Sequence, residues 1–129
     1  MALLKWDNTY SVNIELIDNN HKMIIDLINS MHDAILMGRE EEEVENVLRA
    51  LMRYTDVHFA EEEQILESGG YPHLNEHTFK HNKMTEKVWK MYERYEDGEN
   101  ITNDIMSLLT RWVTNHIMSE DQEYVAYLD

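Results

Sequence analysis

The chain has 129 residues, 43% of them hydrophobic, which is enough for one domain with a sizeable core and too apolar for a disordered segment. Its 26 acidic residues against 11 basic ones give a formal net charge of −15, which argues against nucleic acid or an anionic membrane as a partner. It has no cysteine, which excludes disulfides, thiolate zinc sites, iron–sulfur clusters and c-type haem attachment, so that any metal must be bound by His, Asp or Glu.

The N-terminal stretch MALLKWDNTY has no apolar region of the length found in signal peptides, and no later apolar run is long enough to cross a bilayer. We therefore expect a soluble, cytoplasmic protein. Residues 1–17 are predicted to form an arm that packs across the rest of the chain through a few apolar side chains, namely Trp6, Val12, Ile14 and Ile17.

Sparse glycine and proline divide the remainder into helix-length segments. Asp18 is the expected N-cap of the first, in which Ile24, Ile25, Ile28 and Met31 follow a period of 3.6 residues. Similar apolar stripes follow in the other segments. The predicted helices cover residues 18–37, 40–67, 73–96 and 100–118.

Short connections make consecutive helices neighbours in space. The sequence therefore predicts an all-α fold, an antiparallel up-down-up-down four-helix bundle with an N-terminal arm. No repeat, low-complexity tract or linker indicates a second domain, so residues 1–129 are expected to form one domain.

Most of the histidines fall at one end of this predicted bundle. The start of the first helix, the end of the second, the start of the third and the end of the fourth share that end, and each candidate lies within roughly 5–14 Å of it at 1.5 Å per residue. The six candidate ligands are His21, His58, Glu62, His77, His81 and His116.

The spacing of these residues suits metal binding. His58 and Glu62 are four residues apart, as are His77 and His81, so each pair shares a helix face and can reach one metal ion or two adjacent ones. The HExxH pattern of zinc proteases is absent, and no histidine follows a glutamate by three residues as in ferritin-like di-iron sites.

The motifs resemble those of the hemerythrin family, in its bacterial single-domain form. The elements are His21 in IDNNHK, HxxxE in HFAEE, HxxxH in HTFKH and HxxxxD in HIMSED, and the resemblance extends over nearly the whole chain. It implies a non-haem centre of two iron ions joined by an oxo or hydroxo bridge. By family role, His77, His81 and His116 would bind one iron, His21 and His58 the other, and Glu62 and Asp121 would bridge both.

The function implied by the resemblance is reversible O2 binding for transport, storage or delivery, rather than enzymatic catalysis, with an unidentified protein as a conceivable acceptor of O2. Two octahedral irons offer twelve coordination positions. The ligands are five imidazoles, two bridging carboxylates and one bridging oxygen, and they leave one position open. The alternatives are O2 sensing, a di-iron enzyme with peroxidase or oxygen or nitric oxide scavenging activity, and an iron-storage or purely structural bundle.

Residue spacing and the resemblance disagree at the last ligand. Glu120 follows His116 by four residues and would share its face on an α-helix, whereas Asp121 would point about 140° away. The resemblance favours Asp121, which requires the helix to end or distort around residues 117–120. His73 and His32 are expected to lie outside the site, and the expected apolar cover of the O2 position is Ile24, Ile25, Trp112 and Ile117.

Overall fold

The computed structural model describes residues 4–128, and these residues form helices and no strand. Four helical rods pack as an antiparallel up-down-up-down bundle, which confirms the predicted fold class. The first rod is α1 (Glu15–Leu36) and the third is α4 (Leu74–Glu96). The second consists of α2 (Glu40–Arg53), a π-helical stretch (Tyr54–His58) and α3 (Phe59–Ser68); the fourth consists of α5 (Thr102–Arg111), a π-helical stretch (Trp112–Glu120), a 3₁₀ turn (Asp121–Tyr124) and α6 (Val125–Leu128).

Glycines terminate the rods where the chain reverses direction. Gly38 and Gly98 have φ angles of 70° and 86°, a left-handed conformation that other residues adopt at a cost. After each of them the next amide reaches back into the helix, from Arg39 to the Ala34 carbonyl at 2.7 Å and from Glu99 to the Arg94 carbonyl at 3.0 Å. These bonds satisfy carbonyls at the helix end and keep the connections short.

The apolar core is divided into two clusters. The larger one fills the middle of the bundle and includes Ile28, Leu48 and Leu109, each at most 1% exposed. The smaller one lies at the end where the histidines gather and consists of Val12, Ile17, Leu66, Tyr71 and Tyr124. The buried polar residues come between the two clusters, because His21 is one turn after Ile17 and Glu62 is one turn before Leu66.

The N-terminal arm packs on the bundle as expected, with Val12 only 2% exposed. The prediction that Asp18 caps the first helix was wrong, because the helix begins at Glu15 and places Asp18 in its first turn. Its carboxylate instead accepts hydrogen bonds from the Val12 amide at 2.8 Å and the Ser11 hydroxyl at 2.6 Å. Asp18 therefore anchors the arm. Residues 1–3 of the predicted arm lie outside the described residues.

Asp18→Ala is expected to lower the free energy of unfolding by about 1–3 kcal/mol, because it leaves the Val12 amide and the Ser11 hydroxyl without their acceptor. The exposed neighbour Asn19 provides the matched control, and Asn19→Ala should change stability by less than about 0.5 kcal/mol. Urea unfolding followed by circular dichroism measures both. Equal stability of the two variants would show that the carboxylate does not hold the arm.

None of the helices in residues 4–128 combines the length and the hydropathy that a membrane span requires.

Candidate metal centre

Histidine and carboxylate side chains from all four rods meet between the two apolar clusters. Five of them offer ligand atoms that all lie within 4.8 Å of one another, and all five are buried. They come from α3, from the first two turns of α4 and from the end of the fourth rod. The five are Glu62, His77, His81, His116 and Asp121.

The two carboxylates each face two sides of the site. Oδ1 of Asp121 lies 3.0 Å from Nε2 of both His77 and His116, while its Oδ2 lies 3.0 Å from Nε2 of His21. Glu62 repeats this arrangement. Its Oε1 lies 2.6 Å from His77 and 3.0 Å from His81, and its Oε2 lies 3.6 Å from His21. A group of three histidines and the single His21 thus lie on opposite sides of the carboxylate pair.

The distortion expected near the end of the fourth helix is present. Residues Trp112–Glu120 are π-helical, and hydrogen bonds in a π-helix join residues five apart rather than four. His116 and Asp121, five apart, therefore point into the same space. Glu120 is only half-buried, pairs with Lys80, and lies 3.6 Å from Nδ1 of His116, so the residue that simple periodicity favours sits behind a ligand rather than among the ligand atoms.

His58 is not part of the five-residue group. Its side chain is 20% exposed, and its Nδ1 lies 2.9 Å from Oε1 of Glu61. Because Nδ1 contacts a carboxylate, Nε2 is the ring nitrogen that is free to bind a metal. Histidines that bind metals commonly have their other ring nitrogen in contact with a carboxylate in this way. The assignment of His58 as a ligand stays a prediction.

The histidines predicted to lie outside the site are outside it. His73 is exposed and contacts Glu76 at 2.9 Å. His32 is half-buried on α1, three turns beyond His21, and is absent from the group of possible ligands within the described residues.

Several residues that support the site were not found from the sequence. The Tyr124 hydroxyl is fully buried and donates a hydrogen bond to Oε2 of Glu62 at 3.1 Å. Glu63 contacts Nδ1 of His81 at 2.7 Å. Among the contacts around the site, only that between His58 and Glu61 could have been expected from the sequence, because an i,i+3 spacing brings two side chains together on a helix. Tyr124 and Glu63 reach the site through tertiary contacts that no local spacing reports.

Aromatic rings hold two of the imidazoles. The Phe59 ring stacks on His81 with 3.9 Å between centroids and 7° between planes. Trp112 stacks on His116 at 3.8 Å and 16°, and its indole N–H donates to the Tyr54 hydroxyl at 3.4 Å. These contacts restrict ring rotation and exclude water from one face of each imidazole.

The ionisation of the metal-free site is unusual. Burial lowers the pKa of His21 and of His77, but the carboxylates of Asp121 and Glu62 outweigh that effect and raise the values to about 9 and about 10. Burial also opposes the negative charge on both carboxylates, and their histidine neighbours nevertheless hold both pKa values well below the ordinary range. Two acids and at least two protonated histidines therefore balance one another at neutral pH.

The donor atoms fit a metal. Within the described residues, Nε2 of His116 and both oxygens of Asp121 face the site and are buried without a hydrogen-bond partner. Buried polar atoms left in this way are costly, and the ion-pair distances around Asp121 are not aligned as hydrogen bonds. Imidazole nitrogens and carboxylate oxygens are ligands for first-row divalent metals. The site is thus able to hold metal through the atoms that the protein leaves unsatisfied.

Comparison with known proteins identifies the family. The sequence model described as "Hemerythrin HHE cation binding domain" matches residues 12–128. The chain belongs to the hemerythrin family. This membership confirms the resemblance that the four motifs indicated.

Relatives and solved structures agree with this assignment. The bacteriohemerythrin of Pseudomonas aeruginosa strain LESB58 is 37% identical over 125 residues, covering 97% of this chain and 81% of its own. That of Methylococcus capsulatus is 29% identical over 126 residues, covering 96% and 95%. A crystal structure of wild-type hemerythrin superimposes with a TM-score of 0.85 at 28% identity, covering 98% of both chains. The similarity thus extends over almost the whole of this hemerythrin-family chain.

Metal loading is expected to release protons. A metal ion must displace the protons that His21 and His77 carry below pH values of about 9 and about 10. Apparent affinity should therefore rise with pH between 6 and 8, by up to about tenfold per pH unit for each proton displaced. Calorimetric titration with Co²⁺ at pH 7.5, in two buffers of different ionisation enthalpy, should give about two protons released per chain.

The matched control for this proton release is the exposed His73, which lies outside the site. His73→Gln should release the same number of protons as the wild type, whereas His77→Gln should release about one fewer. Fewer than one proton released by the wild-type protein would contradict the ionisation described above.

Proposed function

We propose that this hemerythrin-family chain binds O2 reversibly at a non-haem di-iron centre. The observation that carries the proposal is the orientation of the two buried carboxylates. Each presents one oxygen to the His77 side and the other to His21. Carboxylates so placed are suited to bridging two metal ions rather than enclosing one.

In this proposal each ion has its own histidines. His77, His81 and His116 would hold one iron, and His21 and His58 would hold the other, with Glu62 and Asp121 available to both. The side with fewer histidines would retain the open position. The two ferrous ions, when bound, supply the affinity for O2 and the electrons for its reversible reduction.

The protein's part is to keep the surroundings of the site dry and fixed. Ile24, Ile25 and Ile117 are each at most 3% exposed, and the two apolar clusters enclose the polar layer from above and below. Water-poor surroundings limit proton leakage and side reactions at whatever the site binds. The Tyr124 hydroxyl holds Glu62 in one orientation.

A binding role fits these surroundings better than a catalytic one. The acids next to the ligands are already engaged, Glu61 by His58 and Glu63 by His81, so neither is positioned as a free general acid. We therefore propose that the chain carries, stores or delivers O2 and is not an enzyme. Sensing, and peroxide, oxygen or nitric oxide scavenging, are the alternatives.

Reversibility of oxygenation tests the proposal. The protein is reconstituted with ferrous iron under anaerobic conditions, exposed to air while the visible spectrum is recorded, and then purged with argon. A charge-transfer band that appears at two irons per chain and fades on purging supports reversible O2 binding. Irreversible conversion to the ferric form would reject it and favour scavenging chemistry.

A further inference from the structure

A surface groove runs between α4 and the fourth rod, on the outer side of the ligand cluster, which it meets only at His116. Its volume is about 550 Å³, within the range of roughly 300–1,000 Å³ that is typical of small-molecule sites. Its wall reaches Trp112 and His116 at the inner end. The groove is thus large enough for a ligand of drug or cofactor size.

Positive charge is concentrated along this groove. Five of the chain's 11 basic residues line it, together with two carboxylates, so the groove is positive in a chain of net charge −15. Three of the lysines recur at intervals of three and four residues and so share one face of α4. The basic residues are Lys80, Lys83, Lys87, Arg94 and Arg111; the acidic ones are Asp104 and Glu120.

Ion pairs occupy the two ends of the groove and leave its middle unpaired. Arg94 contacts Asp104 at 2.7 Å at one end, and Lys80 pairs with Glu120 at the other. Between them, Lys83, Lys87 and Arg111 have no carboxylate within ion-pair distance in the part of the chain that the structure describes. The Lys83 ammonium lies 5.3 Å from the centroid of the Phe79 ring. Three cations are thus available to a negatively charged ligand.

The floor of the groove is apolar. Met84 and Trp112 are 2% and 9% exposed, and Met91 and Leu108 are partly buried beside them. The Trp112 ring stacks on His116 and its N–H bonds to Tyr54, so only an exposed edge of the indole, together with the flexible methionines, contributes to the surface toward the groove. An apolar floor beneath a ring of cations matches a ligand that has an apolar body and an anionic head.

We propose that this groove binds a small amphipathic organic anion, with a phosphate or carboxylate held by Lys83, Lys87 and Arg111 and a flat apolar body resting on Met84, Met91 and Trp112. A small anion fits better than an acidic protein, because an acidic protein would meet the field of the whole chain at −15. The net charge of the chain repels a ligand with a single charged group less than it repels an acidic protein, and this repulsion is screened within about 8 Å at physiological salt. The proposal does not depend on O2 binding.

Calorimetric titration of the iron-loaded protein with 2-naphthyl phosphate tests this site. Binding of one molecule per chain is expected, at least tenfold tighter than that of inorganic phosphate, and weaker in high salt. 2-Naphthylmethylammonium, which has the same ring system and the opposite charge, should not bind. The visible spectrum of the iron centre should stay unchanged during the titration. A spectral change that follows the binding curve equally in the wild type and in Lys87→Gln would place the anion at the metal ions and overturn the proposal.

Single charge removals then locate the ligand. Lys87→Gln and Arg111→Gln should each weaken binding of 2-naphthyl phosphate by about tenfold, as the loss of a charge-assisted hydrogen bond predicts. Lys90 is the matched control, since it lies on the same helix but outside the groove and pairs with Glu86 at 3.0 Å.

Lys90→Gln should change the affinity less than twofold. Equal weakening by Lys90→Gln would show non-specific charge attraction and overturn the proposal. So would tighter, Lys87-dependent binding of a polyglutamate peptide, which would indicate an acidic protein segment as the ligand.

Discussion

Asp121→Ala is expected to reduce iron binding from two ions per chain to at most one, with affinity at least a hundredfold weaker. Loss of residues that merely support metal ligands already costs about 10–100-fold, and Asp121 contacts three histidines of the site directly at 3.0 Å. Iron content after anaerobic loading and gel filtration, compared with protein concentration, measures the effect.

Glu120→Ala is the matched control, because Glu120 is the adjacent acid and pairs with Lys80, and it lies behind His116 rather than among the ligand atoms. It should retain two irons per chain. Since Asp121 is fully buried, its removal also leaves positive charges without a partner in the metal-free protein and is expected to cost about 3–5 kcal/mol of stability. Asp121→Asn, which conserves shape, and a circular dichroism spectrum separate unfolding from loss of metal binding. Two irons retained in folded Asp121→Asn, with loss in Glu120→Ala, would contradict the role of the π-helical stretch.

Removal of the metal is expected to lower the melting temperature by about 12–24 °C. A ligand present at about 1,000 times its dissociation constant stabilises the folded state by about 4 kcal/mol, and 1 kcal/mol corresponds to roughly 3–6 °C for a chain of this size. The effect arises because metal satisfies the buried Nε2 of His116 and the two oxygens of Asp121, which otherwise have no hydrogen-bond partner. Differential scanning calorimetry of iron-loaded and chelator-stripped protein measures it.

Two controls make this comparison decisive. Chelator added to protein that is already metal-free should leave the melting temperature unchanged, and the iron-loaded protein should contain two ions per chain. Melting temperatures within about 2 °C of each other would support a purely structural bundle. Continued uptake of iron beyond two ions per chain would instead support storage.

Much of the fold followed from the sequence because its determinants are local. The 3.6-residue period of Ile24, Ile28 and Met31 predicted a buried face, and all three are fully buried on α1. Helix ends followed from the glycines, since left-handed φ angles at Gly38 and Gly98 are a property of the residue itself. Asp18 was misassigned as a cap because an acidic residue near a helix start has the same local pattern whether it caps or receives bonds from the arm.

The site was predictable in part. The positions of His21, Glu62, His77, His81 and His116 along their helices predicted that all five lie at the same level of the bundle. The structure brings these five together around Asp121. Helical periodicity alone would have chosen Glu120 in place of Asp121. The wider π-helical turn has no signature in residue spacing, so the choice of Asp121 came only from the resemblance to a family.

Features that depend on tertiary packing were not predictable. The hydrogen bond from Tyr124 to Glu62 joins residues 62 positions apart, and the stacking of Phe59 on His81 joins two different rods. For His58, the four-residue spacing to Glu62 predicts a metal ligand, whereas the structure shows its Nδ1 in contact with Glu61.

The most direct test of the central claim is a crystal structure of the iron-loaded protein with anomalous scattering recorded at the iron edge. The account predicts two peaks about 3.5–4 Å apart, one beside His77, His81 and His116 and the other beside His21, with the His58 ring turned so that Nε2 reaches the second peak. Glu62 and Asp121 should each contact both. A single peak, or a second iron without His58, would contradict the di-iron centre as proposed.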